Sequence, residues 1–285
     1  MTVVKTIIAA RDAVHRARRS GNKVGLVPTM GAFHAGHLSL VDEARRRCDH
    51  VAVTIFVNPT QFVPGEDFEA YPRTLETDLR ACEQAGADLV FAPSLEEMYR
   101  PNAMTKVSVA GLTKGLCGAA RPGHFDGVTT VVAKLFNILP ADMAFFGEKD
   151  YQQLVVIRRM VTDLDIPIEI VACPTVREPD GLAMSSRNAY LSPPQRAQAV
   201  VLSAALFDAG DRIGAGQRDA KELVQRIRDR IESAGPCAID YVEIVDPETL
   251  EPVRSITAPV RICLAVRIGE CRLIDNVGAD PDASK

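Results

Sequence analysis

Two imidazoles three residues apart, in Val27-Pro28-Thr29-Met30-Gly31-Ala32-Phe33-His34-Ala35-Gly36-His37, stand between a short apolar run and the start of an amphipathic helical pattern. An α/β protein places nucleotide phosphates at such a junction. Gly31 and Gly36 let the backbone come close to a ligand, and the N–H groups of a helix start favour an anion. His34 and His37 add two more donors. His37 falls on one stripe with Val41, Ala44 and Cys48, so it points the way the core-facing side chains point.

Polar residues follow the other apolar runs as well. Asn58 and Gln61 come after residues 51–57 and offer two amides for a carboxylate, hydroxyl or amide, although an Asn-Pro turn is also an ordinary strand terminator. Gly147, Glu148, Lys149 and Asp150 come after residues 143–146, where Lys149 at a helix entrance suits a phosphate. Asp150 can cap that helix, hold a ribose hydroxyl, or do both. Gln153 shares a stripe with Ile157, Met160 and Val161 and needs a partner there, either substrate or neighbouring backbone. Residues 168–171 lead through Val176 and Gly181 to Met184-Ser185-Ser186-Arg187-Asn188, where two hydroxyls beside an arginine form an anion clamp. The glycine-rich stretch 115–124 reads as a mobile flap that brings Arg121 toward the pocket, with His124 satisfied inside the loop.

The elements that must position these groups are legible as periodicity. Apolar runs at 24–27, 51–57, 88–91, 143–146 and 168–171 alternate with helical patterns at 38–48, 75–85, 128–138 and 151–164. This alternation predicts a doubly wound parallel sheet covered on both faces, with the polar residues gathered at its carboxyl edge. After about Arg177 the pattern changes to helices at 193–209 and 218–234 and strands at 240–245, 260–266 and 271–274. We read two domains, 1–176 and a smaller α+β lid at 177–285 with an antiparallel sheet. Residues 1–20 read as one charged helix, and the polar tail after Val277 as disordered.

Composition narrows the function classes. The 285 residues are 47% hydrophobic and 25% charged, which describes an ordinary globular protein, and the net charge of −4 argues against a nucleic-acid-wrapping role. No apolar run approaches the roughly 20 residues that span a bilayer, and no secretory leader is evident, so we expect a cytoplasmic protein. Seven cysteines without a C-x-x-C pair read as reduced, buried thiols. Cys263 and Cys271 could meet across a hairpin; we read them as two small core residues.

The motifs P-T-M-G-x-x-H-x-G-H, V-N-P-x-Q-F, R-P-G-H-F-x-G-V, F-G-E-K-D-x-Q-Q-L and S-S-R-N occur in this order and together resemble the pantothenate synthetase family along nearly the whole chain. That family is similar in fold to the Rossmann-like class I aminoacyl-tRNA synthetases and small nucleotidyltransferases. Met184-Ser185-Ser186-Arg187 stands where a lysine-rich K-M-S-K-S would be in a synthetase, leaving Arg187 to supply the loop charge. Phe33 replaces the leucine common in the family.

The resemblance implies ATP as a substrate, with Mg2+ bound through its phosphates, and condensation of (R)-pantoate with β-alanine through a pantoyl adenylate. It implies catalytic roles for His37, His34, Lys149 and Arg187. ATP would be held by Met30, Gly31, His34, Gly36, His37, Gly147, Glu148, Lys149, Asp150, Val176, Met184, Ser185, Ser186 and Arg187. Pantoate would meet Gln61, Gln153 and Asn58, with Gln61 also touching β-alanine. A homodimer is expected, with neither nucleic acid nor membrane as partner. No protein ligand for the metal can be named from sequence beyond a guess at Asp78. A nucleotidyltransferase acting on a phosphorylated partner would want a second anion site, whereas Asn58, Gln61 and Gln153 offer neutral amides.

Overall fold

Strands with no polar alternation are stable only between two covering layers, and the first two-thirds of the chain is built from such strands. The computed structural model describes residues 1–282. These divide into two units, the first made of Met1–Ala110, Arg121–Glu148 and Gln153–Pro174, the second of Gly111–Ala120, Lys149–Gln152 and the chain from Thr175 onward. The boundary between the long segments falls after Pro174 rather than at the expected 176/177, and two short segments cross over that sequence alone did not separate.

The first unit carries β1 (Thr2–Val4), α1 (Ile7–Arg19), β2 (Val24–Thr29), α2 (Ala35–Arg47), β3 (His50–Ile55), α3 (Leu75–Gln84), β4 (Leu89–Phe91) and α4 (Leu95–Met98). The chain then forms α5 (Leu116–Ala120), α6 (His124–Ile138), β5 (Met143–Gly147), α7 (Tyr151–Asp163) and β6 (Glu169–Cys173). The sheet order is β1-β4-β3-β2-β5-β6, and every pairing is parallel. From β2 the chain adds β3 and β4 on one side and β5 and β6 on the other, so the order reverses between β2 and β5. Ligands of such sheets bind outside the carboxyl ends at that reversal. Val24, Leu26 and Val27 of β2 and Val51, Ala52 and Val53 of β3 are fully buried.

Three expectations shift. The predicted helix at 1–20 is a strand followed by a helix, because a three-residue edge strand is too short to show a period. α6 starts at His124 rather than 128, since Gly123, in the left-handed region at φ 85°, ends the loop there. The strand before Asn58 ends at Ile55 rather than 57.

The second unit pairs β7 (Ala238–Val245), β8 (Val260–Ile268) and β9 (Cys271–Ala279) in an antiparallel meander against α8 (Pro193–Gly214) and α9 (Ala220–Ser233). A capping box starts α8: Gln195 reaches back to the Ser192 N–H at 2.9 Å, and Pro193 takes the first helical turn. Leu202, Leu206 and Ile213 of α8, Leu223, Ile227 and Ile231 of α9 and Ile262, Leu264 and Val266 of β8 form one core. Each such side chain contributes about 1.5–3 kcal/mol through burial. β9 continues two residues past Val277; of the tail read as disordered, residues 283–285 lie outside the described residues. No described helix is long and apolar enough to cross a membrane.

None of the seven cysteines, all of them among the described residues, forms a disulfide. Across the hairpin Cys263 faces Asn276 and Cys271 faces Ile268, so the two do not pair. Burial pushes the Cys82 and Cys263 thiols up to about 12 and Cys173 to about 11. Only the thiolate is nucleophilic, and six of the seven are buried while Cys237 is half-buried. Iodoacetamide at neutral pH is therefore expected to label Cys237 first and the others only after denaturation, read by peptide mass mapping. Several sites labelled together in the folded protein would contradict this packing.

Candidate active site

The residues after β2 turn through two left-handed positions, Gly31 at φ 84° and Ala32 at φ 53°. For alanine that region costs about 1–2 kcal/mol. The Asp78 carboxylate, from the first turn of α3 and only 2% exposed, accepts the N–H of Ala32 at 3.0 Å and of Phe33 at 2.9 Å, and the Thr74 hydroxyl at 3.2 Å. Hydrogen bonds to a charged acceptor contribute about 1.5–3 kcal/mol each, enough to hold the turn. A Cβ at residue 31 would lie 2.8 Å from Asp78 Oδ2, so glycine is required by space as well as by φ. The metal role guessed for Asp78 is thereby corrected: its oxygens are spent on the turn.

That turn delivers the imidazoles. His34 is the N-cap of α2, its Nδ1 accepting from Gly36 N–H at 3.1 Å, so a neutral His34 ring carries its proton on Nε2. His37 follows in the first turn of α2, with the ring centroids 4.1 Å apart. Phe33 packs its ring 5.3 Å from that of His37. Both imidazoles thus stand at the positive end of the α2 dipole, where the Gly36 N–H is taken by His34 Nδ1 and the His37 N–H by the His34 carbonyl at 2.8 Å.

After β3 the chain makes a single 3-10 turn, Pro59–Gln61, capped by Asn58. Asn58 is 1% exposed; its Nδ2 donates to Gln61 Oε1 at 3.1 Å and to the Gly127 carbonyl at 3.2 Å, while its Oδ1 accepts from the Tyr99 hydroxyl at 2.8 Å and that of Thr60 at 3.0 Å. Both ends of the Asn58 amide are committed to protein, so any contribution to a ligand site runs through Gln61. Gln61 Nε2 lies 3.1 Å from the Met30 sulfur, which joins this turn to the histidine loop. Burial raises the Tyr99 phenol above its ordinary range, keeping it a donor. A side chain at Gly127 would put its Cβ 2.2 Å from the Thr60 carbonyl, so α6 lies backbone to backbone against the turn.

The expected flap is divided. Arg121 belongs to the first unit and Gly111–Ala120 to the second. Arg121, expected to be carried toward the pocket, ion-pairs with Glu66 and donates to the Gln61 carbonyl at 3.1 Å. His124 is buried and hydrogen-bonded, as expected, but it opens α6 instead of lying in a loop.

In the first unit Gly147 ends β5 and Glu148 follows it, while Gln153 lies half-buried near the start of α7. The second unit contains Lys149, Asp150, Val176 and the serine-arginine segment. Asn276 of β9 holds the Lys149 carbonyl at 2.8 Å and is itself held by Arg261 at 2.6 Å. Asp275 accepts a bidentate pair from Arg177 at 2.7 and 2.9 Å. The chain from Val176 doubles back so that Met184 N–H donates to the Val176 carbonyl at 3.0 Å, with Arg177 bridged to Ala183. Ser185 caps the turn Ser186–Tyr190, accepting from Arg187 N–H at 3.3 Å. Among the described residues Thr175 Oγ1 and Asn188 Oδ1, flanking these two strands, are buried polar atoms without a hydrogen-bond partner. Sequence reasoning missed Glu66, Tyr99, Asp275 and Asn276. An Asp-Asn pair inside an otherwise apolar strand was the available signal for the last two.

The family model for pantoate-beta-alanine ligase matches residues 2–278. The chain belongs to that family. It is 53% identical to the pantothenate synthetase of Acetivibrio thermocellus over 97% of this chain and 99% of that one. It is 54% identical to that of Pelotomaculum thermopropionicum over 97% and 98%. Among solved structures, the pantothenate synthetase of Thermus thermophilus superimposes with TM-score 0.92 at 49% identity, covering 97% and 99%. The pantoate-beta-alanine ligase of Francisella tularensis, complexed with beta-gamma ATP and beta-alanine, gives 0.80 at 34% identity, covering 97% of each chain.

Asp78→Ala leaves the two turned-in N–H groups of residues 32 and 33 without an acceptor, and is expected to cost about 2–4 kcal/mol in denaturant unfolding. Asp78→Asn, which keeps one acceptor oxygen, should fall between. An unchanged midpoint in both variants would mean the turn holds itself.

Proposed function

We propose that the chain condenses (R)-pantoate with β-alanine, driven by ATP, to give pantothenate, AMP and pyrophosphate through a pantoyl adenylate. The observation that carries this reading is the imidazole pair at the start of α2, fixed by Asp78 beside the amide of Gln61. A pantoate carboxylate oxygen attacks the α-phosphorus of ATP as the bond to the bridging oxygen breaks and pyrophosphate leaves. The β-alanine amine then attacks the acyl carbon, the bond to the phosphate oxygen breaks, the nitrogen loses a proton and AMP departs. In-line transfer spreads negative charge over phosphate oxygens, so catalysis consists mainly of positioning and electrostatic stabilisation.

In this reading His34 donates from Nε2 to a phosphate oxygen, and His37 is the proton donor to the leaving group. The family resemblance further assigns nucleotide contacts to Met30, Gly31, Gly36, Gly147, Glu148, Lys149, Asp150, Val176, Met184, Ser185, Ser186 and Arg187, with Lys149 and Arg187 supplying positive charge. Gln61 and Gln153 bind pantoate, Asn58 supports Gln61, and Gln61 also meets β-alanine. Mg2+ enters as part of the nucleotide substrate, carried on its phosphates, as the family resemblance implies. A cytoplasmic homodimer belongs to the same proposal.

The test is pyrophosphate release from ATP. It is expected to require pantoate and to proceed without β-alanine as a single turnover; release indifferent to pantoate would refute the reading. His37→Ala is expected to fold normally and to slow that release by roughly two to four powers of ten, the range for losing a general acid or a transition-state donor. Near-normal release by a folded variant would remove His37 from the chemistry.

A further inference from the structure

Gln61 is gripped from behind by two residues, backed by a third, that have no place in the chemistry just described. Its backbone carbonyl accepts from His124 Nδ1 at 2.6 Å and from Arg121 Nη2 at 3.1 Å. Arg121 Nη1 lies 2.9 Å from His124 Nε2. Arginine only donates, so Nε2 accepts and the ring is neutral, with its proton on Nδ1 aimed at the Gln61 carbonyl. The rest of the guanidinium fork grips Glu66, Nε to Oε1 at 2.5 Å and Nη2 to Oε2 at 2.7 Å, with both side chains about 15% exposed. Glu66 closes the loop on itself by accepting the Val63 N–H at 3.0 Å. Burial works to raise the Glu66 carboxyl, but the hydrogen bond and charge of Arg121 hold it below the ordinary range, so it stays an anion.

We infer that Glu66, Arg121 and His124 form a positioning clamp that sets where Gln61 stands and thereby governs affinity for the hydroxy-acid substrate while leaving ATP binding alone. The inference rests on the reading of Gln61 as a pantoate ligand. Three arguments support it. The clamp converges on the backbone of the one residue whose side chain is already oriented by Asn58 and Met30, so carbonyl and carboxamide are fixed independently. Its members come from two segments about 55 residues apart, bracing the turn against the start of α6 rather than within its own loop. A single point charge at residue 121 could not make these contacts together, because they use the planar fork.

The experiment compares Glu66→Gln, Arg121→Lys and their double variant with wild type. It reads KM for pantoate and for ATP in pantoate-dependent pyrophosphate release, with denaturant midpoints confirming folding. Each single variant is expected to raise KM for pantoate about tenfold, with KM for ATP within about twofold, and the double variant to be no worse than the poorer single, since all act through one clamp. Arg121→Lys keeps the charge, so full rescue by lysine would overturn the clamp. Equal rises for the two substrates, or additive effects in the double variant, would do the same. Hydrogen exchange at residues 58–63 provides a readout free of the assigned activity, and Glu66→Gln is expected to accelerate it. Unchanged exchange overturns the clamp, whereas faster exchange in a protein that releases no pyrophosphate with pantoate would instead fault the functional reading.

Discussion

A chain that leaves a strand through two left-handed residues turns its next N–H groups inward, and they must meet an acceptor or the turn opens into something else. Here the acceptor is the carboxylate of Asp78, which takes the N–H groups of Ala32 and Phe33 from the first turn of α3. Without it His34 has no reason to stop as an N-cap, and His37 would not stand one turn further along the same helix start. The strain at Ala32 and the exclusion of any side chain at residue 31 are two consequences of one contact. A buried anion is tolerated because two amides and a hydroxyl replace its water.

The chemistry follows from what that contact leaves pointing outward. His34 spends Nδ1 on its own helix and so presents Nε2 as a donor. Two imidazoles with centroids 4.1 Å apart at a helix N-terminus make a concentrated donor array suited to an oxyanion that gains charge during reaction. The amide of Gln61 reaches the same loop through Met30, and it offers a neutral donor and acceptor beside the imidazoles. In the proposed reading, neutral amides beside the donors assigned to phosphate separate the carboxylate substrate from the nucleotide without a second cationic site to compete for the triphosphate.

Sequence periodicity revealed most of the frame because the frame is made of local signals. β2 and β3 are unbroken apolar runs, and a strand buried on both faces cannot be written otherwise. The stripe through His37, Val41 and Ala44 likewise exists in one dimension before it exists in three. β1 escaped because three residues carry no period, and the start of α6 escaped because Gly123 reads as loop rather than as the position before a helix. The supports of the site were illegible for a different reason. Asp78 lies 46 residues from Ala32, Arg121 lies 55 from Glu66, and Asn276 lies 127 from Lys149. Pairings at such separation leave no trace in local spacing, so Asp78 is noticeable in the sequence only as a spare carboxylate, open to no more than a guess at a metal role. Reactive residues advertise themselves by type, whereas the residues that aim them do so only by position.

Transfer of label from pantoate to AMP tests the central claim most directly, because it follows the bond that the imidazole pair is proposed to help make. Pantoate carrying oxygen-18 in its carboxylate is turned over with ATP and β-alanine, and the nucleotide product is analysed by mass spectrometry. Attack on the α-phosphorus predicts one labelled oxygen in AMP and none in pyrophosphate. Label in a phosphate or pyrophosphate product, or AMP formed without label, would mean that the carboxylate is activated elsewhere and that the imidazoles serve another step.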